Sequence, residues 1–132
     1  MAQQIKKILI VEDDLSLRPL WEVMFRNQPF YPQLEWAVSC EEALKMIRES
    51  NLTLEPYHLI ITDLFLAGSG TGMELINSKD VIKSGAKKVL VSVSDKDEIQ
   101  KAFGHLLPET EIISKPLDAK KCENFISSLM RG

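Results

Sequence analysis

Three apolar runs in this chain end on residues that could do chemistry together. Ile5 to Val11 stops abruptly at Glu12, Asp13 and Asp14; Tyr57 to Thr62 stops at Asp63; and Ile112-Ile113 leads into Ser114, Lys115 and Pro116. Carboxylates gathered at one place repel one another, and keeping them ionised calls for a cation. Oxygen ligands with room for water suit Mg²⁺, so these acids, with Asp63 among them, read as a magnesium cup. The metal's charge would let an anionic phosphoryl donor approach, in-line attack by Asp63 would form an acyl phosphate, and Lys115 would balance the phosphoryl oxygens. A hydroxyl at the end of the run Lys88 to Ser94 could hydrogen-bond a phosphoryl oxygen and report its arrival. Ser92 and Ser94 are two apart and face the same side of a strand. Ser92 is preferred, because it directly follows Val89 to Val91, whereas Ser94 precedes Asp95 and can cap the next helix. Such chemistry is that of a switch rather than of a turnover enzyme.

Taken singly, each of these residues has a plainer reading. An acid after a strand is a common helix N-cap, and a lone lysine is commonly solvated. Only the combination favours a site. Gly68 to Gly72 looks like a phosphate cradle but lacks the Lys-Ser/Thr ending of a P-loop and the Rossmann spacing, so it reads as a flexible loop. His58 and His105 have no partner at ligand spacing and read as surface or half-buried packing residues. Trp21 and Trp36 read as core or helix-packing residues.

The elements that must position these residues alternate along the chain. Ile5–Val11 is β-branched and apolar throughout its end, as a strand buried on both faces should be. Leu17, Leu20, Trp21, Met24 and Phe25 recur at three- and four-residue steps, which predicts a helix over Leu15 to Arg26 with Pro19 near its start. Pro29 and Pro32 bracket a turn before a second strand, Leu34 to Val38, and Ser39 caps a helix running to about Ser50. A third strand ends at Asp63; Met73 to Lys83 is a third helix, stopped by Gly85. Lys88 to Ser94 is a fourth strand and Asp95 opens a fourth helix ending near Gly104. Ile112-Ile113 is a fifth strand and Leu117 to Met130 a fifth helix. Five strands alternating with five helices imply a doubly wound parallel sheet, helices on both faces, with ligands outside the carboxyl ends of the strands.

Composition bounds the rest. The 132 residues are 45% hydrophobic, enough for one core and one domain spanning 1–132. With 16 Lys plus Arg against 19 Asp plus Glu, the formal charge of -3 gives no reason to expect nucleic-acid binding. The apolar runs are strand-sized, and Met1 to Lys7 lacks the apolar stretch of a signal peptide, so no membrane association and a cytoplasmic location are expected. Cys40 and Cys122 show no ligand spacing and read as reduced thiols.

The order of these motifs resembles the receiver domain of response regulators, a flavodoxin-like fold of two-component signalling, over nearly the whole chain. Ile8 to Asp14 is similar to that family's first strand and acid pair, which implies metal-binding roles for Glu12 and Asp13. Leu59 to Asp63 resembles the acceptor strand, which implies that Asp63 is phosphorylated and that the backbone carbonyl of Phe65 is a further metal ligand. Ser114-Lys115-Pro116 resembles the Lys-Pro signature and implies a cis peptide after Lys115. The chain departs from the pattern at Leu66-Ala67, where Met-Pro is usual, and at Gly72, one residue late, which implies a longer and more flexible loop. Ile112 stands where an aromatic residue is common, so the usual aromatic rotamer switch is absent. The resemblance implies a histidine kinase or phosphotransfer protein as donor. A downstream protein partner would meet the fourth helix, fifth strand and fifth helix, because 132 residues leave no room for an effector domain.

Two other functions compete. A pseudo-receiver would keep the fold as a binding module without phosphorylation; the acids, Asp63 and Lys115 weigh against it. A Mg²⁺-dependent aspartyl phosphohydrolase would reuse the same chemistry, but Val11 to Leu15 contains no DxD pattern and the chain has no lid-sized insertion.

Overall fold

The computed structural model describes residues 4–66, 68, 70–104 and 109–131. Five strands form one parallel sheet: β1 (Ile5–Val11), β2 (Tyr31–Ala37), β3 (Leu59–Asp63), β4 (Lys87–Ser92) and β5 (Thr110–Ser114), in spatial order β2-β1-β3-β4-β5. The doubly wound, flavodoxin-like arrangement predicted from the sequence is present. The order in which successive strands are added reverses between β1 and β3, and the crevice at that switch point lies at the carboxyl ends of both strands.

Strand alternation separates two apolar layers. Ile8, Ile10, Leu59, Ile61, Val89 and Val91 meet Trp21, Met24 and Phe25 of α1 (Arg18–Arg26) and Cys122 and Ile126 of α6 (Ala119–Met130). Leu9, Val11 and Ile60 meet Ala43 and Ile47 of α2 (Cys40–Leu52), Leu75 of α3 (Gly72–Ile76) and Val81 of α4 (Lys79–Ser84). A smaller cluster joins Leu90 to Met73 and Ile76 of α3 and Ile99 of α5 (Lys96–Phe103), with Ile112 packed at its margin. Burial on both faces explains why β3 and the ends of β1 and β4 are apolar runs rather than alternating ones.

Several boundaries differ from the sequence expectation. The helix predicted over Met73 to Lys83 is two helices, because Ser78 accepts the Val81 N–H and starts a new one; the described helices therefore number six, α1 to α6. Leu15–Leu17 is a 3-10 turn, and the α-helix proper begins at Arg18 with Pro19 in its first turn, where a missing N–H costs nothing. Pro32 is inside β2 instead of bracketing a turn. It is tolerated because β2 is an edge strand and pairs only with β1. The fourth strand stops at Ser92 rather than Ser94. Ala67 and Ser69, in the loop expected to be long and flexible, and His105 lie outside the described residues. Among the described residues no helix is long and apolar enough to cross a membrane.

Candidate functional site

Glu12 leaves β1 with its backbone N–H donating to the Ala37 carbonyl at 2.9 Å, so the chain turns while still held against β2. Its side chain is almost fully buried and accepts the Asp14 N–H at 3.2 Å. Asp13 is exposed. The Asp14 carboxylate faces away into a cap, accepting the Ser16 N–H at 3.0 Å and the Ser16 hydroxyl at 2.6 Å, and these bonds lower its pKa. The bland reading of an acid after a strand therefore holds for Asp14. Glu12, Asp13 and Asp63 instead come together, each offering a carboxylate oxygen within 4.8 Å of the others.

Asp63 ends β3, and the next residue, Leu64, donates its N–H to Val91 at 3.0 Å, continuing the sheet beyond the carboxylate. Only 5% of Asp63 is exposed. Its Oδ1 stands 3.1 Å from Lys115 Nζ, a charge contact, and that oxygen has no hydrogen-bond partner. Lys115 follows β5, and its backbone N–H donates to the Ser92 carbonyl at 2.8 Å. The Lys115–Pro116 peptide is cis.

The electrostatics show how crowded this rim is. Burial, reinforced by the hydrogen bond and charge of Asp63, pushes the Glu12 pKa from 4.5 up to about 8. For Lys115, burial disfavours the ammonium, but Asp63, Glu12 and Asp13 outweigh it and raise its pKa. A buried carboxylate oxygen without a hydrogen bond, beside a second acid held partly protonated, is a donor set short of positive charge. All three side chains offer hard oxygens, and Asp13 leaves one side open to water, so the set fits a hard divalent cation.

Ser92, the last residue of β4, is buried, and its hydroxyl oxygen accepts the Ser94 N–H at 3.0 Å. Ser94 does not cap the following helix: Asp95 does, accepting the Glu98 N–H at 2.9 Å. Phe65 lies two residues beyond Asp63, pairs with Thr71 in an isolated antiparallel bridge, and exposes 65% of its surface.

Gly72 is the residue whose importance sequence reasoning missed. Its N–H donates to the Leu64 carbonyl at 2.8 Å, and a Cβ there would stand 1.9 Å from the carbonyl oxygen of Asp63. The glycine lets α3 start hard against the acceptor strand. Loop glycines are common, and the only local signal was its place directly after Thr71, which caps α3 by accepting the Glu74 N–H.

No family model matches the sequence. Solved structures do. A two-component response regulator from Cytophaga hutchinsonii superposes with a TM-score of 0.75 at 21% identity, over 98% of this chain and 100% of that one. A response regulator receiver protein from Sinorhizobium medicae gives 0.76 at 16% identity, over 97% and 96%. A chemotaxis response regulator of Vibrio cholerae gives 0.73 at 19% identity, over 96% and 100%. The fold of this chain is thus that of response-regulator receiver domains over nearly its full described length.

Proposed function

We propose that this chain is a phosphoryl-accepting receiver of a two-component or phosphorelay system, acting in the cytoplasm as a switch rather than a turnover enzyme. The observation that carries the reading is the meeting of Glu12, Asp13 and Asp63 within 4.8 Å, with Lys115 3.1 Å from Asp63, at the carboxyl ends of strands in a receiver-like fold. Glu12, Asp13, Asp63 and the Phe65 backbone carbonyl would hold Mg²⁺, whose charge offsets the repulsion between the rim and an anionic donor. An Asp63 oxygen attacks phosphorus, the bond to the donor's leaving group breaks, and the aspartyl phosphate forms. Lys115 moves from balancing the carboxylate to balancing the phosphoryl oxygens, and the Ser92 hydroxyl, at present occupied by the Ser94 N–H, turns toward the phosphoryl group.

The donor is a histidine kinase or a phosphotransfer protein, and the output is a changed affinity for a protein partner. Ile112 connects the two ends of that route: it lies in β5 directly opposite Leu90 of β4 and packs against the cluster that holds Leu90 and Ile99. A shift of the loop after Ser92 can repack this small cluster and alter the face formed by α5, β5 and α6, which corresponds to the fourth helix, fifth strand and fifth helix of the sequence reading.

The test is intact mass after incubation with Mg²⁺ and a small phosphodonor. Wild type gains one phosphoryl group, and Asp63→Ala gains none. A wild type that gains nothing would point to the second reading, a pseudo-receiver that binds partners without phosphorylation, which the aliphatic Ile112 favours.

A further inference from the structure

A cavity of about 570 Å³ opens at the opposite, amino-terminal edge of the sheet, bordered by the starts of β1, β3 and β4 and by Met130 at the end of α6. Its distance from Asp63 is roughly 16 Å, the length of five residues of strand at about 3.3 Å each. The volume is in the range of small-ligand pockets.

The wall of this cavity is cationic, and one of its donors is fixed in direction. His58 donates its backbone N–H to Lys7 at 2.8 Å and accepts the Lys87 N–H on its carbonyl at 3.0 Å. Its ring Nδ1 accepts the Lys7 backbone N–H at 2.9 Å. A ring whose Nδ1 accepts is neutral and carries its proton on Nε2, so His58 presents an N–H donor from a pinned position. Burial, followed by the charge of Lys6, lowers the His58 pKa and keeps the ring in this form.

The neighbouring charges differ in availability. The Lys7 ammonium is committed to Ser50 Oγ and the Glu55 carbonyl, each at 3.0 Å, and lies 4.7 Å over the Tyr57 ring. Lys87 donates to the Leu129 carbonyl. Lys6 has no ion-pair partner among the described residues, and Glu55 supplies the single carboxylate of the lining. The rim is apolar where it should be polar: Ile5 is 61% exposed and Leu54 89%. Leu54 also has a φ of 63°, a left-handed backbone that a leucine rarely adopts and that recurs at functional positions.

We propose that this cavity is a second binding site, for a small organic anion. Its phosphate or carboxylate group would lie against Lys6 and the His58 Nε2–H, and its apolar or aromatic portion against the exposed side chains of Ile5 and Leu54. The pairing of a free ammonium with a directed neutral donor suits a compact anion, and the exposed aliphatic rim suits a ligand that is more than the anion alone.

NMR of the His58 ring tests the site, with phenyl phosphate and inorganic phosphate as probes, in the absence of Mg²⁺ and against sodium chloride at matched ionic strength. The expected result is a saturable His58 shift with both probes, phenyl phosphate binding about tenfold more tightly because its ring is covered. Lys6→Gln, which keeps most of the aliphatic stem and so the β1 packing, weakens both by at least about fivefold. Leu54→Gly, which suits the positive φ, removes the advantage of phenyl phosphate and leaves inorganic phosphate unchanged. A phenyl phosphate response equal to that of sodium chloride, or equal in wild type and Lys6→Gln, overturns the site. Equal affinity for the two probes overturns its apolar half. None of these outcomes depends on phosphorylation of Asp63.

Discussion

The backbone N–H of Lys115 donates to the carbonyl of Ser92 at 2.8 Å, joining the two strand ends that border the Asp63 carboxylate. This bond belongs to the main chain and survives substitution of either side chain. Lys115→Ala should therefore fold, losing about 1 kcal/mol or less in urea denaturation, since the ammonium is partly solvated. Removing the cation beside Asp63 should also tighten Mg²⁺ binding roughly tenfold, because the carboxylates lose their internal counter-charge. Phosphorylated Lys115→Ala should show no shift changes beyond the cup. Loss of folding would assign the lysine a structural role instead.

Glu12 makes Mg²⁺ binding depend on pH. Its pKa rises from 4.5 to about 8 on folding, so between those values the folded protein holds a proton that the unfolded chain has released. The stability associated with that proton is present below about 4.5 and is lost as pH rises through about 8. Mg²⁺ must displace the same proton. Its affinity, measured by calorimetry, should increase from pH 6 to pH 8 with proton release into the buffer, and Glu12→Gln should flatten the profile. A slope of the opposite sign would refute the placement of Glu12 beside the cation.

Gly72 should tolerate no side chain. Gly72→Ala places a methyl group 1.9 Å from the Asp63 carbonyl oxygen, so either α3 or the end of β3 must move. The expected cost is about 3 kcal/mol in chemical denaturation, with slower phosphorylation in whatever fraction stays folded. A variant of wild-type stability would show that the α3 start is displaced without effort.

Ser92 and Ser94 should behave differently. Ser92→Ala removes the acceptor of the Ser94 N–H and should cost about 1 kcal/mol, besides weakening the response of Lys101, Ile112 and Lys120 to phosphorylation in NMR spectra. Ser94→Ala should leave both stability and response unchanged, because Asp95 is the helix cap. If Lys101, Ile112 and Lys120 stay silent even in phosphorylated wild type, the α5, β5 and α6 route is wrong and the domain acts as a phosphoryl sink or shuttle.

The sequence by itself determined the α/β alternation and the residues that end its strands. Apolar runs buried on both faces and amphipathic helices have different periods, and that difference is local. Glu12, Asp63 and Lys115 were legible because each stands at, or one residue past, the end of such a run, and parallel strands deliver their carboxyl ends to one rim. What stayed illegible depended on neighbours distant in sequence. Pro32 is allowed in β2 because that strand lies at an edge, and strand order is a property of the whole sheet. Ser78 restarts a helix that periodicity alone carries through to Lys83, since a cap competes with helix continuation only by a single hydrogen bond. The division of labour among Glu12, Asp13 and Asp14 was settled by where each carboxylate points, with Asp14 turned to Ser16 and Glu12 buried beside Asp63. Gly72 looked like one more loop glycine until the fold brought its α-carbon against the Asp63 carbonyl, a contact that no local pattern encodes.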